Sequence, residues 1–220
     1  MTIVFLAGAS RGVGFEIAQI LSQQKMTTIA LLRNSESQAK LEALNIQVIF
    51  GDAMNEAELG IAVNAQTIDT VISTIGGISP EGVRSDFIGN RNLIDAAVNA
   101  GVKHFILITS IGAGTSSDAI PASTLAALSA VLSEKEQAET YLHQSGLTYT
   151  IIRPGGLKSE PATGNGVLTE NSTIGGIIHR ADVAELICKC IGNDRSHNQT
   201  FSAIDQTMVY GDRIFDIFTP

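Results

Sequence analysis

Residues 2–14 read Thr-Ile-Val-Phe-Leu-Ala-Gly-Ala-Ser-Arg-Gly-Val-Gly, and this stretch decides the fold. Its first half, 2–7, is an almost continuous apolar run, as expected of a strand buried on both faces. The segment after the glycines places apolar residues on one helical stripe, at Val13, Ile17, Ile20 and Leu21. A strand, a glycine-rich turn and a helix in this order predict an anion site, because unpaired N–H groups and the helix dipole attract a pyrophosphate.

The turn carries the groups that such a site needs. Glycine lets a phosphate approach the backbone with no Cβ in the way, and a serine and an arginine add a hydroxyl and a cation. We expect the contacts with the cofactor to come from Gly8, Ser10, Arg11, Gly12, Val13 and Gly14. The alternative is a turn that only connects a strand to a helix, since glycine is common in this chain.

The second strand, 27–32, ends in Arg33. An acid at this place would bind the ribose 2′-hydroxyl of NAD, whereas an arginine suits the 2′-phosphate of NADP. We therefore expect NADP(H), held at this end by Arg33 and Asn34. A solvated strand end is the alternative interpretation of Arg33.

Strand and helix patterns alternate as far as residue 156. The predicted strands are 2–7, 27–32, 46–50, 68–73, 102–109 and 147–152. After the first helix, the predicted helices are 35–44, 55–63, 82–100 and 125–144. Strict alternation predicts parallel strands with right-handed helical crossovers, and hence a doubly wound α/β sheet that binds its ligand at the carboxyl ends of the strands.

The sequence becomes more polar after residue 156. A short extended piece is expected at 166–169, a helix at 181–191 and a last strand at 199–204. This part is too small to be an independent domain. We expect 157–220 to form a small cap on the substrate side of a single domain, 1–220.

Two further strand ends carry small or acidic residues. After the third strand, Asp52 could accept a hydrogen bond from the adenine amino group, with Ala53 beside it, or it could serve only as a turn or helix-capping residue. After the fourth strand, small side chains let the backbone pass close to a ligand, or form only a tight turn. The cofactor contacts expected there are Ser73, Thr74, Ile75 and Gly76.

The composition limits the function classes. The chain has 220 residues, is 44% hydrophobic and carries a net charge of −8, which argues against nucleic-acid binding because that needs a basic face. No apolar run approaches the length of a membrane span, and the N-terminus begins as a strand rather than a basic leader. The spacing of Cys188 and Cys190 suits neither a disulfide framework nor a metal site. We expect a cytoplasmic protein with no metal.

The later motifs point to a known superfamily. They are the Thr109–Gly112 loop, Lys135 in a helix, Arg153-Pro154-Gly155-Gly156 after the sixth strand, and Arg180–Ala184 opening the last helix. Together with the glycine turn, Arg33 and Asp52, they give a chain that resembles the short-chain dehydrogenase/reductase superfamily over residues 1–205. It is most similar to the atypical branch that includes NmrA-like proteins and NADPH-type biliverdin/flavin reductases.

The resemblance implies a Rossmann-type fold and a role for each matching residue. It implies that the glycine turn binds pyrophosphate, that Arg33 binds the 2′-phosphate and that Asp52 lies by adenine. Pro154, Gly155 and Gly156 would line the nicotinamide pocket. Ser110 and Lys135 match catalytic positions, and Lys135 could instead be a surface lysine in a Glu-Lys-Glu run.

One departure from the family pattern concerns the proton donor. Classical members carry a tyrosine four residues before the helix lysine, where this chain has Val131. Tyr141 is six residues past the lysine on another face, so it cannot simply substitute. Reduction of a carbonyl by the usual triad is therefore not expected. Acceptors that need little help with protonation, such as flavins, quinones and tetrapyrroles, fit better.

Two other function classes remain open at this point. A non-catalytic NADP(H)-binding redox sensor would also keep the nucleotide site and lose the acid. An epimerase or dehydratase for nucleotide sugars fits less well, because such enzymes keep the tyrosine and have a larger C-terminal substrate domain. The expected partner is a small-molecule substrate, and the protein is expected to be a monomer or a homodimer.

The pair His179 and Arg180 also has two interpretations. Both residues precede the last predicted helix, near the place where a cap would meet the pocket. They could face the substrate, or their polar groups could satisfy the backbone of an N-terminal turn.

Overall fold

The computed structural model describes residues 2–79, 82–211 and 214–220. The strands are β1 Ile3–Ala7, β2 Thr27–Leu32, β3 Gln47–Phe50, β4 Thr70–Ser73, β5 His104–Ile108, β6 Tyr149–Pro154, β7 Gly156–Lys158, β8 Gly166–Thr169, β9 Ile177–His179 and β10 Gln199–Asp205. The helices are α1 Gly12–Gln23, α2 Gln38–Glu42, α3 Glu56–Asn64, α4 Ile88–Asn99, α5 Ala122–Gln144 and α6 Arg180–Cys190.

Eight strands form one sheet in the order β3-β2-β1-β4-β5-β6-β10-β8. Neighbouring strands from β3 to β10 run parallel, and β8 pairs antiparallel with β10 at the edge. The strand order reverses between β1 and β4, and such a reversal opens a crevice at the carboxyl ends of the strands. The predicted doubly wound, Rossmann-type α/β fold is confirmed.

Residues 4–7 of the first strand are fully buried because helices cover both faces of the sheet. Val4 and Leu6 pack with residues of α1 and α6 on one face. Phe5 and Ala7 pack with residues of α3, α4 and α5 on the other. Side chains alternate across a strand, so the continuous apolar run of β1 supplies both cores.

The fourth helix begins later than the sequence predicts. The expected span was 82–100, but α4 starts at Ile88. Gly82 has φ +82°, in the left-handed region that a right-handed helix excludes, and Ile78 pairs with Arg84 across a short loop. The segment before α4 is therefore a loop, and it brings Asp86 to the site described below.

The C-terminal segment contributes to the central sheet. We expected 157–220 to form a cap, but β10 lies beside β6 and α6 packs against α1. The reason is burial: Phe201, Ala203 and Ile204 of β10 are completely buried. The two-stranded sheet of β7 and β9 is the part that stands outside the main sheet.

The last described residues complete the sheet edge. The backbone N–H of Phe218 donates to the carbonyl oxygen of Leu168 in β8 at 2.8 Å. The Phe218 ring lies 4.4 Å from that of Phe201, measured between centroids. Across residues 2–79, 82–211 and 214–220, none of the helices has the length and apolar composition that a bilayer span requires.

Candidate functional site

A cleft of about 620 Å³ opens at the carboxyl ends of β1, β2, β4 and β5. Its volume lies within the range of small-molecule and cofactor sites. Many residues predicted to bind a cofactor line it: Gly8, Ser10, Arg11, Gly12, Val13, Gly14, Arg33, Asn34, Asp52, Ala53, Thr74, Ile75, Gly76 and Lys135. The fold therefore brings the glycine turn, the β2 end and the helix lysine to one place.

The N-terminus of α1 faces this cleft without a side-chain cap. Arg11 occupies the N-cap position in extended backbone, and its side chain makes no capping hydrogen bond. The first turn of the helix also lacks acidic residues. The unpaired N–H groups and the positive end of the helix dipole are thus available to an anion in the cleft.

The three glycines of the turn have different reasons for being glycine. A Cβ at Gly8 would lie 2.3 Å from Thr74 Oγ1, and one at Gly14 would lie 2.2 Å from the Gly8 carbonyl oxygen. At Gly12, by contrast, a Cβ would meet only the Arg180 side chain, at 3.6 Å. Gly8 and Gly14 allow β1, α1 and β4 to pack closely, whereas Gly12 leaves the backbone open toward the cleft.

The β2 end gathers polar groups around Arg33. Arg33 is exposed, lines the cleft, and makes no ion pair among the described residues. Glu36 and Ser37 follow it in the same lining. Lys40 donates a hydrogen bond to the carbonyl oxygen of Ser10 and thereby ties this segment to the glycine turn.

Asp52 lines the cleft and also stabilises a turn. Its Oδ1 accepts a hydrogen bond from the Met54 N–H at 2.9 Å, and its own N–H donates to Glu58 Oε2 at 2.8 Å. This hydrogen bond directly supports the interpretation of Asp52 as a turn residue. Within the described residues, Oδ2 has no hydrogen-bond partner, so the adenine interpretation keeps one acceptor.

Lys135 reaches the cleft from α5 with its ammonium fixed by a buried carboxylate. Its Nζ lies 3.0 Å from Asp86 Oδ1, and the Asp86 side chain is 1% exposed. Asp86 Oδ2 also accepts from the Gly77 N–H at 3.0 Å. A Cβ at Gly76 would lie 2.6 Å from Asp86 Oδ1, so the glycine makes room for the pair. Asp86 was not among the predicted site residues, because residues 82–100 were expected to form a helix.

A second buried ion pair lies one turn further along α5. Arg153 in β6 donates to both carboxylate oxygens of Glu139, at 2.6 and 3.0 Å, and both side chains are almost completely buried. The Thr109 hydroxyl donates to the same carboxylate at 2.6 Å. Because Lys135 and Glu139 are four residues apart, they lie on one face of the helix. The pair thus fixes α5 against β5 and β6 and sets where Lys135 points.

Five predicted residues do not line this cleft. Ser73 is completely buried and donates to Asn90 Oδ1 at 2.5 Å, and the Ser110 hydroxyl donates to the Ile111 carbonyl oxygen at 3.0 Å. Pro154 ends β6, and a Cβ at Gly155 would lie 2.3 Å from the Gly176 carbonyl oxygen. The remaining one is the exposed Gly156, at the start of β7. Because these five residues do not contact the cleft, their predicted roles in cofactor binding and catalysis stay predictions.

The tyrosine missing from the family pattern has no replacement in the cleft lining. Val131 lies one turn before Lys135 on α5, partly buried. Tyr141 donates its hydroxyl to Asp95 Oδ1 at 2.7 Å, and this hydrogen bond raises the tyrosine pKa. Neither Tyr149 nor Tyr210 lines the cleft.

The two members of the His179–Arg180 pair point to different places. His179 is 8% exposed, and its Nδ1 lies 2.6 Å from the Pro161 carbonyl oxygen. Arg180 lines the cleft beside the glycine turn. His179 therefore satisfies a backbone group, as one interpretation predicted, whereas Arg180 faces the site, as the other predicted.

The lining is cationic although the chain is acidic. Among the described residues, four basic side chains line the cleft, those of Arg11, Arg33, Lys135 and Arg180, against the carboxylates of Glu36 and Asp52. The whole chain has 14 basic and 22 acidic residues. A local excess of cations beside an uncapped helix N-terminus fits a ligand with several phosphates.

The fold and the cleft define a Rossmann-type protein built to bind a nicotinamide dinucleotide. The family model described as NAD(P)H-binding matches residues 8–194. The chain belongs to this NAD(P)H-binding family, within the atypical branch of the short-chain dehydrogenase/reductase superfamily.

Similar proteins occur in bacteria and in plants. The solved structure of ChuY, an anaerobilin reductase from Escherichia coli O157:H7, is 33% identical, covers 93% of this chain and 98% of ChuY, and has a TM-score of 0.85. YhfK of Bacillus subtilis, named as an uncharacterized sugar epimerase, is 32% identical over 203 residues, 90% of this chain and 92% of YhfK. Chloroplastic TIC 62 of Pisum sativum is 32% identical over 93% of this chain, which spans 43% of TIC 62.

Two alanine substitutions test whether Gly14 is needed for packing and Gly12 for the approach of the ligand. Gly14→Ala should destabilise the fold strongly, because its Cβ would strike a backbone oxygen. Gly12→Ala should retain the fold at a cost of about 1 kcal/mol for a left-handed residue, and lose affinity for NADPH. Thermal unfolding and calorimetric titration measure the two effects. Equal NADPH affinity of Gly12→Ala and the unchanged protein would contradict this placement of the pyrophosphate.

Removal of Glu139 tests the pair that fixes α5. Glu139→Ala leaves the Arg153 guanidinium buried without a counter-charge, which should lower the free energy of unfolding by about 3–5 kcal/mol. Urea denaturation followed by circular dichroism gives this value. The double variant Glu139→Leu, Arg153→Met should recover much of the loss, because it removes both charges. A loss below about 1 kcal/mol, typical of exposed pairs, would show that the pair does not fix the helix.

Proposed function

We propose that the protein is an NADP(H)-dependent oxidoreductase that transfers hydride to a flavin, quinone, tetrapyrrole or similar acceptor. The single observation that carries the proposal is the open backbone at Gly12, beside an uncapped helix N-terminus in a cleft lined by four cations. The residues fit a dinucleotide, because the phosphates meet N–H groups and cations where a Cβ is absent. When bound, the nicotinamide supplies the hydride chemistry.

Three groups of residues divide the binding of the cofactor between them. The turn at Ser10–Gly14 would hold the pyrophosphate through its N–H groups. Arg33 and Asn34 would hold the 2′-phosphate. Lys135 would donate to the nicotinamide ribose, with its ammonium oriented by Asp86 at 3.0 Å.

The preference for NADP rests on the β2 end. Arg33 makes no ion pair among the described residues, which leaves its planar guanidinium free for bidentate contact with a phosphate. Glu36 is the feature that argues the other way, since a carboxylate could accept from a ribose hydroxyl. Its placement three residues beyond the strand-end position favours the phosphate interpretation.

The class of acceptor follows from what the site lacks. The lining has no tyrosine, and the Ser110 hydroxyl is engaged with its own neighbour's carbonyl. An acceptor that takes its proton from solvent suits such a site better than a simple ketone. ChuY supports this class, because a bilin is a linear tetrapyrrole and ChuY is an anaerobilin reductase of similar sequence and fold.

The Arg33 prediction separates NADP from NAD. Arg33→Ala should weaken NADPH binding by about 1.5–3 kcal/mol and leave NADH almost unchanged, because NADH has no 2′-phosphate to lose. Glu36→Gln serves as the matched control and should not weaken NADPH. Calorimetric titration of both coenzymes gives the ratio of affinities. Equal losses for NADPH and NADH would show that Arg33 points elsewhere.

An acceptor screen tests the oxidoreductase assignment. With NADPH in excess, biliverdin, FMN and a benzoquinone should be tried in turn, and at least one should oxidise NADPH at a rate above the protein-free reaction. The decrease in NADPH absorbance measures this rate, and Gly12→Ala should reduce it. Tight NADPH binding with no turnover on any of the three would favour the binding module, a redox sensor, over the enzyme.

A further inference from the structure

Arg180 is one of the four cations of the cleft, but none of the three groups assigned above to parts of the cofactor contains it. It is the first residue of α6, and α6 packs along α1. Its Nε would lie 3.6 Å from a Cβ at Gly12, so the guanidinium group covers the open side of the glycine turn. The cation therefore lies against the backbone that we assign to the pyrophosphate.

The guanidinium has donors to spare. Its Nη1 donates to Ser159 Oγ at 2.7 Å and lies 3.4 Å from the Leu157 carbonyl oxygen. Nε and Nη2 have no hydrogen-bond partner within residues 2–79, 82–211 and 214–220. Glu16 and Glu160 line a second, adjoining pocket together with Arg180, but neither is close enough to it for an ion pair. A partly exposed arginine with free donors, and with no counter-ion among the described residues, can donate to a pair of phosphate oxygens without breaking a contact.

We propose that Arg180 is a further pyrophosphate-binding residue, which covers the phosphates from α6 while the N–H groups of the glycine turn hold them from the other side. The inference rests on the proposed function and extends it to a residue outside the glycine turn. Arg33 and Arg180 flank the turn from different elements, the end of β2 and the start of α6. The two guanidinium groups therefore serve different phosphates.

The same arginine connects the cofactor to the segment that follows β6. Leu157 lines the cleft, and Arg180 binds both the Leu157 carbonyl and the Ser159 hydroxyl. A phosphate that immobilises the guanidinium also immobilises this segment, because one planar group makes both sets of hydrogen bonds. The cofactor would thus order part of the wall that the acceptor must contact.

The test compares two coenzymes that share a pyrophosphate but differ at the 2′-position. Arg180→Ala should weaken NADPH and NADH by similar factors of about tenfold or more, which is the usual loss for a charged hydrogen bond. The ratio of the two affinities should stay at its original value. Lys189→Ala is the matched control, because it removes one cation from the last turn of the same helix. It should change neither affinity.

Two further variants separate the effect of the Arg180 charge from a loss of the fold. Arg180→Lys keeps the charge without the planar fork and should recover part of the affinity. Arg180→Gln keeps a donor for Ser159 without the charge, and replaces Arg180→Ala if thermal unfolding shows that the alanine variant has lost its fold. Either uncharged variant should show the same parallel loss.

The outcomes separate this inference from the proposed function. Unchanged affinity for both coenzymes in a folded uncharged variant overturns the inference and leaves the proposed function intact. Loss confined to NADPH also overturns it, because it would assign Arg180 to the 2′-phosphate. If the unsubstituted protein binds neither coenzyme, the proposed function fails first and the inference fails with it.

Discussion

The close approach of β1, α1 and β4 at the glycine turn is the constraint on which the rest of the structure depends. The Thr74 hydroxyl lies 3.1 Å from the carbonyl oxygens of Ala7 and Gly8, and the missing side chains of Gly8 and Gly14 make that approach possible. This packing aims the uncapped end of α1 into the crevice between β1 and β4. Every other group in the site is placed relative to that helix end.

The opposite wall of the cleft is built from buried charge. Asp86 fixes the ammonium of Lys135, and Glu139 joins α5 to Arg153 in β6. Buried ion pairs are weak sources of stability compared with apolar packing, but each demands one geometry, because a displaced partner would leave a charge unpaired. Buried ion pairs thus fix the positions of Lys135 and α5, whereas apolar packing on the two faces of the sheet stabilises the fold.

The elements that could be predicted from sequence are those with strong local patterns. The apolar run of β1, the turn at 8–14 and the helical stripe of α1 each carry their own signal. Together they predicted the fold and the end of the cleft that we propose for the phosphates. Asn55 is a similar case, because an asparagine directly before a helix is a local N-cap signal, and Asn55 caps α3 by accepting from the N–H groups of Ala57 and Glu58.

The features that sequence reasoning missed depend on contacts between distant segments. Asp86 and Glu139 are separated from their partners Lys135 and Arg153 by 49 and 14 positions, so no local spacing could reveal the pairs. A partial signal did exist, because Asp86 and Asn90 are polar residues four apart within an apolar pattern. The membership of β8 and β10 in the main sheet had even less signal, because a short strand does not encode which edge it will join.

The contact between Phe218 and β8 has a consequence for behaviour at high concentration. An outermost strand carries a row of unpaired amide and carbonyl groups, which is a template for adding a strand from another molecule. Here the Phe218 N–H occupies one carbonyl group of that row, that of Leu168, and the Phe218 ring packs beside Phe201 with the two ring planes tilted by 30°. A chain shortened before residue 214 would keep its cofactor cleft but would leave the Leu168 carbonyl group of β8 unpaired. Folded molecules could then add to one another along this edge strand and aggregate.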